Sequence, residues 1–154
     1  MTTDRKKGHF TFRAAAVLLI ASAVLELLSV TSEVPLFDEV RGGISAAIYH
    51  LVYAGLFLVL GVGLWRAKKW GYTMVFVTTA VYTLDKLQLV LGRQALDTFI
   101  KTQFADYESQ LQSQGIDTVL VVQAVVLMAV VVVLCWWGFA LYTWWRRDYF
   151  RDDG

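Results

Sequence analysis

Residues 44–70 read ISAAIYHLVYAGLFLVLGVGLWRAKKW, and this stretch decides the class of fold. The run from Ile44 to Leu64 contains no Asp, Glu, Lys or Arg. A helix rises 1.5 Å per residue, so about 20 apolar residues cross a hydrocarbon core about 30 Å thick. Trp65 and the basic residues that follow it are typical of the boundary between membrane and water. The stretch therefore predicts a membrane-spanning helix that ends in a tight basic turn.

Three further apolar segments of similar length flank this one. Including it, the predicted spans run over about 12–30, 44–65, 70–92 and 118–145. Hydrophobic residues make up 57% of the 154-residue chain, and the mean hydropathy is +0.53. These values are too apolar for a soluble domain of this size. The sequence predicts an all-α, four-helix transmembrane bundle that forms a single integral membrane domain over residues 1–154.

The basic residues predict the orientation of the spans. Ten Lys and Arg residues lie in the N-terminal arm, the turn between spans two and three, and the C-terminal tail, whereas the two other loops hold three. Cytoplasmic loops carry the excess of Lys and Arg, so both termini are expected on the cytoplasmic side of the plasma membrane. The tryptophans at Trp65, Trp70, Trp144 and Trp145 form an aromatic belt at the same face.

The second outer loop, residues 93–117, is too long for a simple connection. Apolar side chains recur in it at helical spacing, with charged residues between them. This pattern predicts an amphipathic helix over about 95–112, with its apolar face resting on the outer ends of the spans or covering a site as a lid.

Four ionisable side chains lie inside the predicted spans at one depth. Counting from the cytoplasmic anchors places Glu26, His50, Asp85 and Lys86 in one layer, about 7–10 Å below the outer edge of the hydrocarbon. Charged groups at this depth are costly and usually face a protein interior or a water-filled cavity. Because three helices contribute to the layer, the sequence predicts that these side chains meet in a pocket.

Neutral polar residues share helix faces with this layer. The predicted ligand- or ion-binding set is Glu26, His50, Tyr53, Tyr82, Asp85, Lys86 and Gln88. Two alternatives remain open. The charges could form a buried pair that only fixes helix register, or Glu26, His50 and Asp85 could bind zinc or manganese.

The sequence lacks the short motifs of the common enzyme and cofactor sites. It contains no GxGxxG, P-loop, GxSxG, HExxH or CxxC pattern, and its single cysteine, Cys135, excludes an intramolecular disulfide. No cofactor and no catalytic residue is therefore assigned. The basic residues are explained by topology and lipid contact, so nucleic acid is not expected as a partner.

Three functions are consistent with these observations. The first is binding or passage of a small ligand, ion or proton through a polar pocket in the outer half of the bilayer. The second is a non-catalytic accessory or scaffold subunit that holds a partner membrane protein. The third is an enzyme acting on a lipid or quinone, since a carboxylate beside a histidine can do acid–base work. A bundle of four helices is thin, so self-association is also consistent with the sequence.

Overall fold

Four long helices form the body of the protein. The computed structural model describes residues 8–37, 39–105 and 117–150. Helices α1 (His9–Leu28), α2 (Gly43–Trp65), α3 (Lys69–Leu91) and α5 (Thr118–Trp145) are each long and apolar enough to span a membrane. A shorter helix, α4 (Arg93–Phe104), precedes α5. The predicted four-helix transmembrane bundle is confirmed, and the predicted spans match the helices to within a few residues.

Helix α5 shows how strongly the membrane setting selects this fold. Its sequence is rich in valine, whose branched side chain favours strands in water. In lipid every backbone N–H and C=O must be paired within the protein, and a helix does this within one segment. The helix begins at a defined point, because the side chain of Asp117 accepts a hydrogen bond from the backbone N–H of Val119 at 3.4 Å.

The turn between α2 and α3 is tight and well defined. The N–H groups of Ala67 and Lys68 donate to the carbonyls of Leu64 and Gly63, each at 3.2 Å. This pattern is a Schellman motif, and Ala67 takes the left-handed conformation (φ 52°) that the motif requires. The chain therefore reverses at once into α3.

Two glycines let α2 and α3 cross in close contact. A Cβ placed on Gly71 would lie 2.6 Å from the carbonyl carbon of Gly63, which is too close for any side chain. Small residues allow helix backbones to approach in this way in lipid. Gly61 allows a similar close approach of α2 to α1, since a Cβ placed on Gly61 would lie 3.1 Å from the backbone oxygen of Ala16.

The helices pack in the order α1, α2, α3, α5, and one end of the bundle is closed by aromatic side chains. A 3₁₀ helix, Arg147–Phe150, follows α5 and folds back onto this end. Phe12 stacks on Tyr149 with ring centroids 4.6 Å apart, and the Tyr149 hydroxyl donates to the carbonyl of Leu64 at 3.2 Å. We call this the terminal end, because α1 begins and α5 ends here.

The opposite end, which we call the loop end, carries a β-hairpin and α4. Strands β1 (Val34–Leu36) and β2 (Glu39–Arg41) pair antiparallel, with Pro35 opposite Val40. Helix α4 packs against both strands and against α5, with Ala95, Leu96 and Ile100 buried. The amphipathic helix predicted over about 95–112 is thus confirmed as far as residue 104, and residues 106–112 of the prediction lie outside the described residues.

Candidate functional site

The first polar contact joins α1 to α2 near the loop end. Nδ1 of His50 lies 2.7 Å from Oε2 of Glu26. The His50 side chain is 8% exposed and that of Glu26 is 26% exposed, so the contact is shielded from the surroundings on the histidine side. An ionised carboxylate only accepts hydrogen bonds, so with Glu26 ionised the Nδ1 atom of His50 carries the proton.

The second polar contact joins α2 to α3 at the same level. The Tyr49 hydroxyl lies 3.2 Å from each carboxylate oxygen of Asp85 and donates to this group. Nζ of Lys86 lies 2.8 Å from Oδ2 of Asp85 and 5.0 Å from the centre of the Tyr82 ring. Lys86 is therefore bound to its chain neighbour and rests on an aromatic face, an arrangement that stabilises the ammonium group.

The two contacts lie side by side because Tyr49 and His50 are consecutive residues of α2. Their rings meet edge to face with centroids 5.5 Å apart. The four ionisable residues of the predicted layer thus occupy one level of the bundle, as paired groups on three helices.

A cavity of about 370 Å³ lies directly against this layer. Its polar wall includes Glu26, Lys86 and the tyrosines Tyr49, Tyr53 and Tyr82. His50 and Asp85 stand behind this wall, bound to Glu26 and to Tyr49 and Lys86 respectively. A volume of this size holds a small molecule and exceeds the space of a single bound water several-fold.

Two buried polar atoms, one on the cavity wall and one behind it, lack hydrogen bonds among the described residues. They are Nε2 of His50 and the hydroxyl of Tyr53. The Tyr53 hydroxyl lies near Asp85 and Tyr49 but does not reach either with hydrogen-bond geometry. Buried polar groups are nearly always paired, so the hydroxyl of Tyr53, which lines the cavity, is available to a ligand or to water.

The structure does not bring Gln88 into the cavity. The Gln88 side chain accepts a hydrogen bond from the backbone N–H of Phe37 at 2.8 Å and donates to the carbonyl of Pro35 at 3.4 Å. Its two amide atoms are used to attach the β-hairpin to α3. Gln88 therefore has a structural contact in place of the predicted site contact.

The alternative of a metal site is not supported either. Within residues 8–37, 39–105 and 117–150, no group of three His, Cys, Asp or Glu side chains is arranged to hold a metal ion. Asp85 is directed to Tyr49 and Lys86, while Glu26 is directed to His50. The three proposed ligands thus form two separate contacts and do not converge on one point.

Tyr49 and Trp136 line the cavity and were not among the predicted set. Tyr49 lies one residue from His50 and four from Tyr53, a spacing that places Tyr49 and Tyr53 on one face of α2. That spacing is the signal from which Tyr49 could have been found. Trp136 belongs to α5, whose uniformly apolar sequence predicts the smallest contribution to a polar site, yet its side chain lines the cavity.

The fold defines a helical membrane protein in which, over the described residues, four helices are long and apolar enough to span a membrane. Residues 43–86 match the model of a family described as a predicted membrane protein (DUF2127). The matched segment covers α2 and most of α3, and it contains Tyr49, His50, Tyr53, Tyr82, Asp85 and Lys86. No curated protein and no solved structure matches the chain.

Proposed function

We propose that the protein binds a small ligand or ion in the cavity beside Glu26 and Lys86. In this proposal it is a multi-pass protein of the plasma membrane with both termini cytoplasmic, and it acts as a single membrane domain. The basic residues at the terminal end support this orientation. The cavity then lies in the outer half of the bilayer, where the ligand would be held or passed across.

The cavity is the observation that carries the proposal. Charged groups that serve only to fix helix register are best placed in a dry, closely packed interior. Here the charged layer borders a cavity of about 370 Å³, and the buried hydroxyl of Tyr53 on its wall has no hydrogen-bond partner within the described chain. This arrangement favours ligand binding over the scaffold function, in which the cavity would have no use. Self-association and a partner membrane protein are compatible with ligand binding.

Filling the cavity tests the proposal. Ser22 lines the cavity, whereas its neighbour Ala21 is exposed on the outer face of α1, so Ser22→Phe and Ala21→Phe form a matched pair. Both variants and the wild type would be purified in native-membrane nanodiscs. The molecules and elements released on denaturation would then be measured by mass spectrometry.

We expect at least one species near equal molar ratio in the wild type and Ala21→Phe, and depleted at least tenfold in Ser22→Phe. Unfolding midpoints would be compared to show that both variants are folded. Identical released species in all three proteins would contradict ligand binding in this cavity.

A further inference from the structure

We infer that the ligand enters the cavity sideways from the lipid, between α1 and α5, and that it is a prenyl- or alkyl-tailed quinone. This inference rests on the proposed function, because it assigns a ligand class to the same cavity. The inference concerns binding of the quinone and includes no chemical reaction.

An apolar cleft lies next to the polar cavity. The cleft has a volume of about 220 Å³ and lies between α1 and α5. Its walls are Ala15, Leu18 and Leu19 on α1, and Cys135, Trp136 and Phe139 on α5. Leu19 and Trp136 also line the polar cavity, so the two spaces are adjacent. In our inference, a molecule dissolved in the bilayer passes from the cleft to the polar layer beside these shared residues.

Near the terminal end, α1 and α5 are joined by aromatic contacts. There Phe12 contacts Phe139 and Tyr142, with ring centroids 6.0 and 5.5 Å apart. Above this contact the two helices lack the close backbone packing that joins α1 to α2. The cleft is consequently closed at the terminal end and leads towards the polar cavity.

The charges of the layer favour a head group without net charge. Glu26 is bound to His50, and Lys86 is bound to Asp85, so each charged group that lines the cavity already has a partner. The Tyr53 hydroxyl lines the cavity and is buried without a partner among the described residues, and a hydroxyl can donate a hydrogen bond to a neutral carbonyl group. A charged head would also pay a large desolvation cost on moving through the apolar cleft.

The shape and composition of the walls favour a flat ring. Five aromatic side chains line the polar cavity, namely Tyr49, Tyr53, Phe57, Tyr82 and Trp136. Phe57 and Trp136 lie nearly parallel, at 8°, with centroids 6.3 Å apart, and Tyr82 lies 5.6 Å from Trp136. Aromatic groups bind other rings through stacked and edge-to-face contacts. A quinone combines such a ring with two neutral oxygen acceptors and a long apolar tail that fits the cleft.

Obstructing the cleft while leaving the polar cavity unchanged tests the inference. Cys135 is exposed on α5 and lines the cleft, whereas Val131 is exposed on the same helix and lines neither space. The matched variants are Cys135→Trp and Val131→Trp. Each protein, in nanodiscs of a synthetic lipid, would be titrated with a fully substituted benzoquinone carrying a decyl tail. The same ring with a methyl group in place of the tail, and decyl alcohol, are the control probes.

We expect the decyl quinone to raise the unfolding midpoint of the wild type and Val131→Trp by about 5 °C at saturation. The shift for Cys135→Trp, and for either control probe, should be below about 1 °C. Because Cys135 is the only cysteine, a second measurement needs no variant: the decyl quinone should slow its alkylation by N-benzylmaleimide at least fivefold. This measurement keeps the test decisive if Cys135→Trp does not fold.

The outcomes separate this inference from the function on which it rests. Equal shifts for Cys135→Trp and Val131→Trp would overturn entry through the cleft. A species retained by the wild type and lost from Ser22→Phe, together with no effect of the decyl quinone, would overturn the quinone assignment and leave the proposed function standing. If the species lost from Ser22→Phe is a phospholipid or an inorganic ion, the quinone assignment is likewise overturned and the proposed function stands. The absence of any such species, together with no effect of the quinone, would overturn both.

Discussion

The pairing of Lys86 with Asp85 makes a quantitative prediction about stability. The Asp85 side chain is 9% exposed and that of Lys86 is 22% exposed. Removing one partner of a buried pair costs about 3–5 kcal/mol, because the other charge is left uncompensated. Asp85 keeps the hydroxyl of Tyr49 when Lys86 is removed. We therefore expect Lys86→Met to lower the free energy of unfolding by about 3 kcal/mol, at the lower end of this range.

A double-mutant cycle isolates the pair. Asn at position 85 can still accept the Tyr49 hydroxyl, and it removes the charge that Lys86 balances. We expect Lys86→Met combined with Asp85→Asn to be more stable than the two single effects predict, by about 2 kcal/mol. Glu26 pairs with His50 and lies on another helix. Lys86→Met combined with Glu26→Gln should therefore be additive to within about 0.5 kcal/mol.

The assay is equilibrium unfolding in mixed micelles, with the fraction of sodium dodecyl sulfate as denaturant and helical circular dichroism as the signal. All variants must keep the wild-type helical content before denaturation. Additivity in the cycle with Asp85, together with coupling in the cycle with Glu26, would show that Lys86 is directed across the cavity. That result would refute the pairing of Lys86 with Asp85.

Two further predictions concern the framework of the fold. Gly71→Ala should lower the free energy of unfolding by about 1–3 kcal/mol, because the added methyl group meets the α2 backbone. Gly55 has open space around it, so the control variant Gly55→Ala should be neutral or stabilising. Equal effects of the two substitutions would argue against the close crossing of α2 and α3. Reporter fusions at the C-terminus and within residues 106–116 should be found in the cytoplasm and outside the cell respectively, as the basic residues predict, and the reverse result at either site would refute the orientation.

The spans and the common level of the polar side chains along the bundle were predictable because the bilayer imposes a length scale. A fixed rise per residue and a fixed core thickness convert residue number into depth. That conversion alone places Glu26, His50 and Asp85 at one level. It could not assign partners, since the sequence gives the height of a side chain and its approximate face but not the neighbour that it reaches.

Gln88 and Trp136 show where this reasoning ends. Gln88 lies about one turn beyond Asp85 on α3, so face and depth alone placed it with the site, but its amide binds the β-hairpin. The hairpin is formed by two three-residue strands, which are too short for a pattern of apolar residues to predict them. Trp136 was missed for a different reason: α5 is apolar on all sides, so its sequence does not distinguish the face that lines the cavity from the faces that meet lipid.

The unequal lengths of α1 and α5 make the protein sensitive to the thickness of its membrane. Helix α1 has 20 residues and α5 has 28, which correspond to lengths of about 30 and 42 Å. Such a mismatch with a hydrocarbon core is relieved by tilting the longer helix or by local deformation of the bilayer. The two helices that flank the cleft therefore respond differently to the same change in thickness. A thinner bilayer favours a greater inclination of α5 against α1, so the lipid composition of the membrane would act on the width of the cleft between them.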